Sequence, residues 1–195
     1  MAFLRSNTKN EIPTGLHGEG VFLRAPQMSD YVQWEPLRRE SQVFLTPWEP
    51  SWPKNDLTRQ AFRRRIRRYA RDIRLDESYP FFVFDAHGDE LLGGLTLANV
   101  RRGVTQACSL GYWLGVNKTG KGHMTAAILA IIPYVFGSLR LHRIEAACLP
   151  ENHRSVRLLE RTGFQHEGLA RRYLCINDVW QDHRLFARLE GDPVS

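Results

Sequence analysis

Apolar residues along this chain change their spacing several times, and each change marks the edge of an element. Phe62, Ile66, Tyr69 and Ile73 recur at i, i+4, i+7 and i+11 with arginines filling most positions between them. That spacing predicts a helix starting near Asp56 or Thr58, with one apolar face and one strongly basic face. From Phe81 the pattern becomes that of strands: Phe81 to Asp85, a turn at His87-Gly88-Asp89, Leu91 to Val100, and a third strand from Cys108 to Val116. Met124 to Phe136 is apolar enough for a buried helix. Pro133 inside it predicts a bend or a stop, since an interior proline costs about 3 kcal/mol.

The same reading covers the flanks. Gly20 to Ala25 is a predicted strand, and Tyr31, Trp34 and Leu37 behind a Ser29-Asp30 cap predict a helix from about Asp30 to Arg39. Phe44 to Pro53 carries Pro47, Pro50 and Pro53, each of which removes a donor, so an irregular aromatic loop is expected. Downstream come a strand from Arg143 to Leu149, a helix from Asn152 to Thr162 closed by Gly163, and a hairpin of Phe164 to Ile176 and Val179 to Leu189 turning at Asn177-Asp178. Residues 1–19 are polar and without period, which predicts a flexible N-terminal arm before a single domain spanning 20–190.

Composition narrows the class. With 195 residues, 43% hydrophobic and 25% charged, the chain fits one water-soluble domain. Cys108, Cys148 and Cys175 lie far apart without any spacing that holds a metal, so no metal site is expected and reduced cysteines in the cytoplasm are. The longest apolar run, Ala126 to Phe136, is too short to span a bilayer. A net charge of +6 favours polyanionic partners, from nucleic acid to phosphorylated cofactors, without choosing among them.

The segment with chemistry in it is Leu110-Gly-Tyr-Trp-Leu-Gly-Val116 followed by Lys118-Thr-Gly-Lys-Gly-His-Met124. A strand passing through a glycine turn into a helix aims unpaired backbone N–H groups at one point, and such a point binds anions. Gly120 and Gly122 permit close approach and positive φ, and Lys121 adds charge. The segment is neither a Walker A loop nor a dinucleotide fingerprint.

FLTPWEP, LGYWLG, GKGHMTAAI, HRIEA, PENHRSVRLLERTGF and EGLARRYL occur in this order between about Gly20 and Leu189. In these motifs the sequence resembles the GNAT superfamily of N-acetyltransferases, and within it the RimJ/RimL type. The resemblance implies an α/β fold of the α+β type, with a mixed, mostly antiparallel sheet of about seven strands and helices on both faces. It implies acetyl-CoA as cofactor, held where two central strands part. Leu114 and Val116 would offer main-chain groups to the pantetheine arm, and the N–H groups of Gly120, Lys121, Gly122, His123 and Met124 would hold the diphosphate. Thr119 and Met124 depart from the usual residues of that turn, at positions that act through the main chain. Asn152 matches an asparagine that bonds near the pantetheine, and Ser155 matches the serine proposed to protonate the leaving thiolate. The tyrosine that other members use falls at Leu159, and the RimL-type glutamate falls at Leu174. Glu145 aligns approximately with the strand glutamate that serves as base in RimI-type relatives.

By the same resemblance the acceptor is a protein N-terminal α-amine, with a ribosomal protein (N-terminal Ala or Ser) as the leading class. Neutralising an α-amine of pKa near 8 at pH 7 costs about 1.4 kcal/mol, against roughly 4.6 for a lysine, so a weak base suffices. The attack would generate an oxyanion best met by a backbone N–H of the Leu114 to Val116 strand. Trp48 and Trp52 either line an acceptor groove or pin their loop, and Glu49 either attracts an amino terminus or is a plain surface carboxylate. Arg63 to Arg68 either contacts ribosomal RNA or is the solvated face that any amphipathic helix needs. Two other functions remain open at this level: acetylation of a small amine such as a polyamine, amino acid or antibiotic, and a non-catalytic RNA-associated role in ribosome assembly. Monomer and homodimer are equally open, and no membrane partner is expected.

Overall fold

Along residues 14–193, which the computed structural model describes, eight strands and five α-helices follow one another. They are β1 (Leu16–Gly18), β2 (Val21–Arg24), α1 (Tyr31–Glu40), α2 (Gln42–Leu45), α3 (Arg59–Arg74), β3 (Tyr79–Asp85), β4 (Leu91–Arg101), β5 (Ala107–Leu114), α4 (His123–Pro133), β6 (Arg143–Cys148), α5 (His153–Arg161), β7 (Gln165–Ile176) and β8 (Val179–Leu189). The strands form one sheet in the order β1-β2-β3-β4-β5-β6-β8-β7. Every pairing is antiparallel except β5 with β6. The predicted mixed, mostly antiparallel sheet with helices on both faces is what is found, with eight strands where about seven were expected.

The additional strand is β1, which pairs Leu16 with Leu23 and Gly18 with Val21. It lies inside the stretch read as an irregular arm; three residues are too few to show an alternation, and only the edge of β2 makes them a strand. Residues 1–13 of that predicted arm lie outside the described residues.

Alternation along the strands sorts the apolar side chains into two cores. Leu23, Phe81, Val83, Leu95, Leu97, Cys108, Leu110, Ile144, Ala146 and Phe186 face α4 and α5, where Met124, Ile128, Ile131, Val156 and Leu159 close the layer. Phe82, Phe84 and Leu91 face the other way, onto Trp34 of α1 and Phe62 of α3. Each such fully buried aliphatic or aromatic side chain contributes about 1.5–3 kcal/mol. The predicted amphipathic helix is thus α3, capped by Thr58, whose side chain accepts the Ala61 N–H at 3.2 Å.

Two prolines behave differently from their helix-breaking reputation. α1 runs through Pro36, and the carbonyl that loses its donor belongs to Val32, which is 71% exposed and so solvated. Pro133 ends α4, but the chain continues as a wider turn over Tyr134–Ser138, with the Leu139 N–H donating to Tyr134 O at 2.9 Å. In the predicted irregular loop, Phe44 and Leu45 instead end α2, and Thr46–Trp48 adds one helical turn with Pro47 in its first positions, where a missing N–H costs nothing.

Candidate active site

β5 and β6 pair only at Ala107–Arg143, Cys108–Ile144 and Ser109–Glu145, and beyond Ser109 the two strands part. The hydrogen-bond phase of β5 decides what faces the opening. Gly115 donates to Leu92 O at 2.9 Å, and Leu114 lies opposite Gly93, so Leu114 is in a non-hydrogen-bonded pair with β4. Tyr112, two residues back, is in the same phase. The N–H and C=O of both residues therefore point away from β4, into a gap where β6 supplies no partner. The same phase on β6, fixed by Glu190 donating to His142 O and by the Arg143–Leu189 pair, turns the main-chain groups of Ala147 into the gap from the other side. An extended ligand arm can lie there as a further strand.

At the mouth of the gap the chain turns through Val116–Lys118 and enters α4 by way of two left-handed glycines, Gly120 (φ +75) and Gly122 (φ +83). A Cβ on either glycine would meet nothing within 4 Å, so the space before the loop is open. Gly122 is the N-cap of α4 and supplies no side-chain cap, which leaves the N–H groups of His123 and Met124 directed outward, the arrangement that binds phosphate at a helix start. Lys121 is exposed beside them and has no acidic partner among the described residues. The Met124 side chain is buried in the core, which leaves only its main chain toward the turn.

α5 begins on the far side of the gap. The Asn152 side chain caps it by accepting the Ser155 N–H at 3.1 Å, which fixes Ser155 one turn in. The Ser155 hydroxyl lies 2.5 Å from the phenol of Tyr112. Even-numbered residues of β5 face α5, so this contact follows from strand alternation, and the expected proton donor meets a partner that the sequence reading did not single out. Burial holds the Tyr112 phenol well above its ordinary pKa, against the lowering effect of the Ser155 bond. Burial likewise pushes the Cys148 thiol up to about 11, and that thiol also interacts with Ser155. Cys148 is accordingly a protonated core thiol and no nucleophile.

A strand that opens onto a glycine-built helix start, with a hydroxyl pair at the fork, is laid out for a nucleotide-tailed thioester. The family described as the acetyltransferase (GNAT) domain matches residues 21–165. The chain belongs to the GNAT acetyltransferases.

Among its relatives, Bacillus subtilis YjcK, named a probable N-acetyltransferase, is 36% identical over 177 residues, covering 91% of this chain and 98% of that one. The Escherichia coli ribosomal protein uS5-alanine N-acetyltransferase is 37% identical over 153 residues, 78% of this chain and 79% of that one. The solved structure of Mycobacterium smegmatis RimJ in complex with CoA-disulfide superposes with a TM-score of 0.83 at 34% identity, covering 90% of this chain and 85% of that one. As a GNAT enzyme this protein draws its acetyl group from acetyl-CoA.

Three expectations about its residues change. Val116 does not offer its N–H to a pantetheine arm: that N–H donates to Ser41 Oγ at 2.9 Å, and its carbonyl accepts Thr119 Oγ1 at 3.0 Å. The strand ends at Leu114, and at Gly115, where a Cβ would sit 2.3 Å from Leu37 Cδ1, the chain turns away. Glu145 is not brought to Ser155. It registers with Ser109, in the paired part of the strands and three residues from Tyr112, so it faces the opposite side of the sheet. There its carboxylate pairs with Arg101 and with Arg143 at 3.0 Å. Glu49 is no free surface carboxylate either: it forms a bidentate pair with buried Arg38 at 3.0 and 2.7 Å and accepts the Trp52 N–H at 2.8 Å. The Arg38 guanidinium lies between Trp52 and Trp113, 4.0 and 4.7 Å from the ring centres, so Trp52 pins its loop, and Trp48 remains the partly exposed one. The loop is tied to the β7–β8 turn through Ser51 and Thr46, both bonded to Asn177.

Proposed function

We propose that this acetyltransferase modifies the N-terminal α-amine of a protein, with a ribosomal protein as acceptor, in the cytoplasm. The observation that carries the reading is the opening of β5 from β6 beside the Ser155 hydroxyl. The name of the Escherichia coli relative, an alanine N-acetyltransferase of ribosomal protein uS5, supports the acceptor class. So does the chemistry of the site, where the described residues put no carboxylate on the Ser155–Tyr112 pair and hold Glu145 in two ion pairs. An acceptor with a pKa near 8 needs little help to lose its proton, whereas a lysine or polyamine needs a dedicated base.

Acetyl-CoA supplies an activated thioester. Amides of Gly120, Lys121, Gly122, His123 and Met124 hold the diphosphate, and the outward carbonyl of Leu114 accepts from the arm and aligns it. The Leu114 N–H meets the negative charge that develops on the carbonyl oxygen, a task for which a fixed main-chain donor suits because nothing has to reorganise. Asn152 fixes the start of α5, and Ser155 gives a proton to the departing sulfur. Glu145 ties β6 to the end of β4 through Arg101, across the paired part of β5.

For the RNA contact of this reading, α3 offers Arg63, Arg64 and Arg67, which are exposed and have no acidic partner among the described residues. Arg65 is excluded, since it pairs with Asp56 at 2.9 Å and lies over Trp34. No helix among the described residues is long and apolar enough to cross a membrane.

Thiol release from acetyl-CoA over a panel of Ala- and Ser-starting peptides and small amines tests the assignment. Peptide turnover that drops roughly 100-fold in Ser155→Ala is expected, with Glu145→Gln close to wild type. Turnover of small amines alone would overturn the acceptor, and an undiminished Ser155→Ala would overturn the proton donor. For α3, RNA affinity that falls with salt and weakens in Arg63→Ala/Arg67→Ala is expected, and affinity indifferent to both would remove the contact.

A further inference from the structure

Among the described residues Ser155 has no conventional activator. No histidine or carboxylate is hydrogen-bonded to its hydroxyl among the described residues; its neighbours are a phenol and a thiol, both kept neutral by burial. We infer that Tyr112 is the positioning residue of the proton donor: its phenolic O–H donates to Ser155 Oγ and so directs the serine's own proton into the gap between β5 and β6. The inference rests on the role of Ser155 proposed above and adds a residue on a different element, at a position that shares no motif with the serine.

The geometry leaves little choice of partner. Tyr112 is held at both ends, by β5 through its backbone and by the α4–α5 core along its ring. Ser155 is held by the Asn152 cap. Two oxygens at 2.5 Å from rigid supports form a single strong bond, and one of the two protons must lie between them. If the serine donated, its proton would be spent on the phenol and none would face the gap. With the phenol donating, the serine proton is left over, with the neutral Cys148 thiol, a weak acceptor, as its other neighbour beside the gap, and an oxygen that already accepts a hydrogen bond parts with its own proton more readily.

The proton count closes. Ser155 gives its proton to the sulfur as the carbon–sulfur bond breaks with its electron pair on sulfur. The nitrogen that bonds to the acetyl carbon releases one proton to water, and Ser155 recovers one from water. Tyr112 keeps its proton throughout and steadies the serine oxygen while that oxygen is deprotonated.

The test is a cycle of Tyr112→Phe, Ser155→Ala and the double variant, each measured for kcat, for KM toward acetyl-CoA and for coenzyme A affinity by calorimetry. Tyr112→Phe removes one oxygen and keeps the ring in the core, and the calorimetric affinity reports that the site is intact. A drop of about tenfold in kcat with KM unchanged is expected. In the Ser155→Ala background the same change should cost nothing further, because the phenol then has no oxygen to act on. A Tyr112→Phe enzyme at full kcat, or a double variant whose losses multiply, overturns the inference while leaving Ser155 in place. A harmless Ser155→Ala instead overturns the underlying assignment. Should Tyr112→Phe lose coenzyme A binding, Ser155→Thr decides: it keeps a hydroxyl for the phenol and should hold kcat within about threefold of wild type, whereas a loss as deep as in Ser155→Ala refutes the bond.

Discussion

Ser41→Ala probes the link that holds the Gly120–Gly122 turn, proposed above as the diphosphate site, to the rest of the molecule. Ser41 is fully buried at the end of α1, where its hydroxyl accepts the Val116 N–H at 2.9 Å and donates to Leu37 O at 2.7 Å. Truncation affects the two bonds unequally. The Leu37 carbonyl keeps the Ser41 N–H, at 3.2 Å, as a donor. The Val116 N–H loses its partner, and an orphaned backbone donor costs roughly 1–3 kcal/mol. Removing a buried hydroxyl returns part of that, so the net expectation is about 1–2 kcal/mol, or a fall in Tm of about 2–8 °C for a chain of this size. Because Val116 leads directly into the Gly120–Gly122 turn, KM for acetyl-CoA should rise several-fold while kcat at saturation changes little. Denaturant unfolding gives the stability and steady-state thiol release gives the constants. A variant within about 0.5 kcal/mol of wild type with the same KM would refute the claim that this bond sets the position of the turn.

Gly122→Ala forces a side chain into a left-handed conformation at φ +83, a strain of about 1–2 kcal/mol, without a clash in the protein. The fold should survive and calorimetric coenzyme A affinity should fall about tenfold, so unchanged affinity would count against the diphosphate site. Burial of Asp76 would by itself raise its pKa, but hydrogen bonds from Arg102 and Tyr79 prevail and hold it below the ordinary 3.8. The stability it contributes is complete above that value and is lost as pH falls through the lowered one, so Asp76→Asn should flatten the acid limb of the stability curve below about pH 4, and an unchanged limb would contradict the assignment. Burial pushes the thiols of Cys148 and Cys108 up to about 11 and about 12, while Cys175 is exposed. Mass spectrometry after brief alkylation at pH 8 should find Cys175 modified first, and rapid labelling of Cys148 would refute its burial as an inert thiol.

Much of this molecule was legible from one dimension. The 3.6-residue period of Phe62, Ile66, Tyr69 and Ile73, the continuous apolar runs of β3 and β4, the alternation of β6, the left-handed Asn177-Asp178 turn and the glycines before α4 are local signals, each set by a few consecutive residues and their backbone preferences. The family motifs are local in the same sense, and they carried Leu114, the Gly120 to Met124 amides, Asn152 and Ser155 to positions that do surround one gap.

What the chain alone did not reveal depends on which atoms meet across long sequence distances. Whether a main-chain N–H faces open space or a neighbour is set by hydrogen-bond phase and by approaching side chains, so local sequence could not separate Leu114, whose groups face the gap, from Val116, whose N–H is taken by Ser41 from 75 residues away. Glu145 carries the right functional group, but the face of the sheet and two arginines commit it elsewhere. Tyr112 gave no signal, because an aromatic residue on a buried strand is ordinary until α5 packs against it and brings a serine 43 residues distant to within 2.5 Å. Local sequence determines conformation and chemistry residue by residue; packing alone decides which of those chemistries share a volume small enough for a proton to pass.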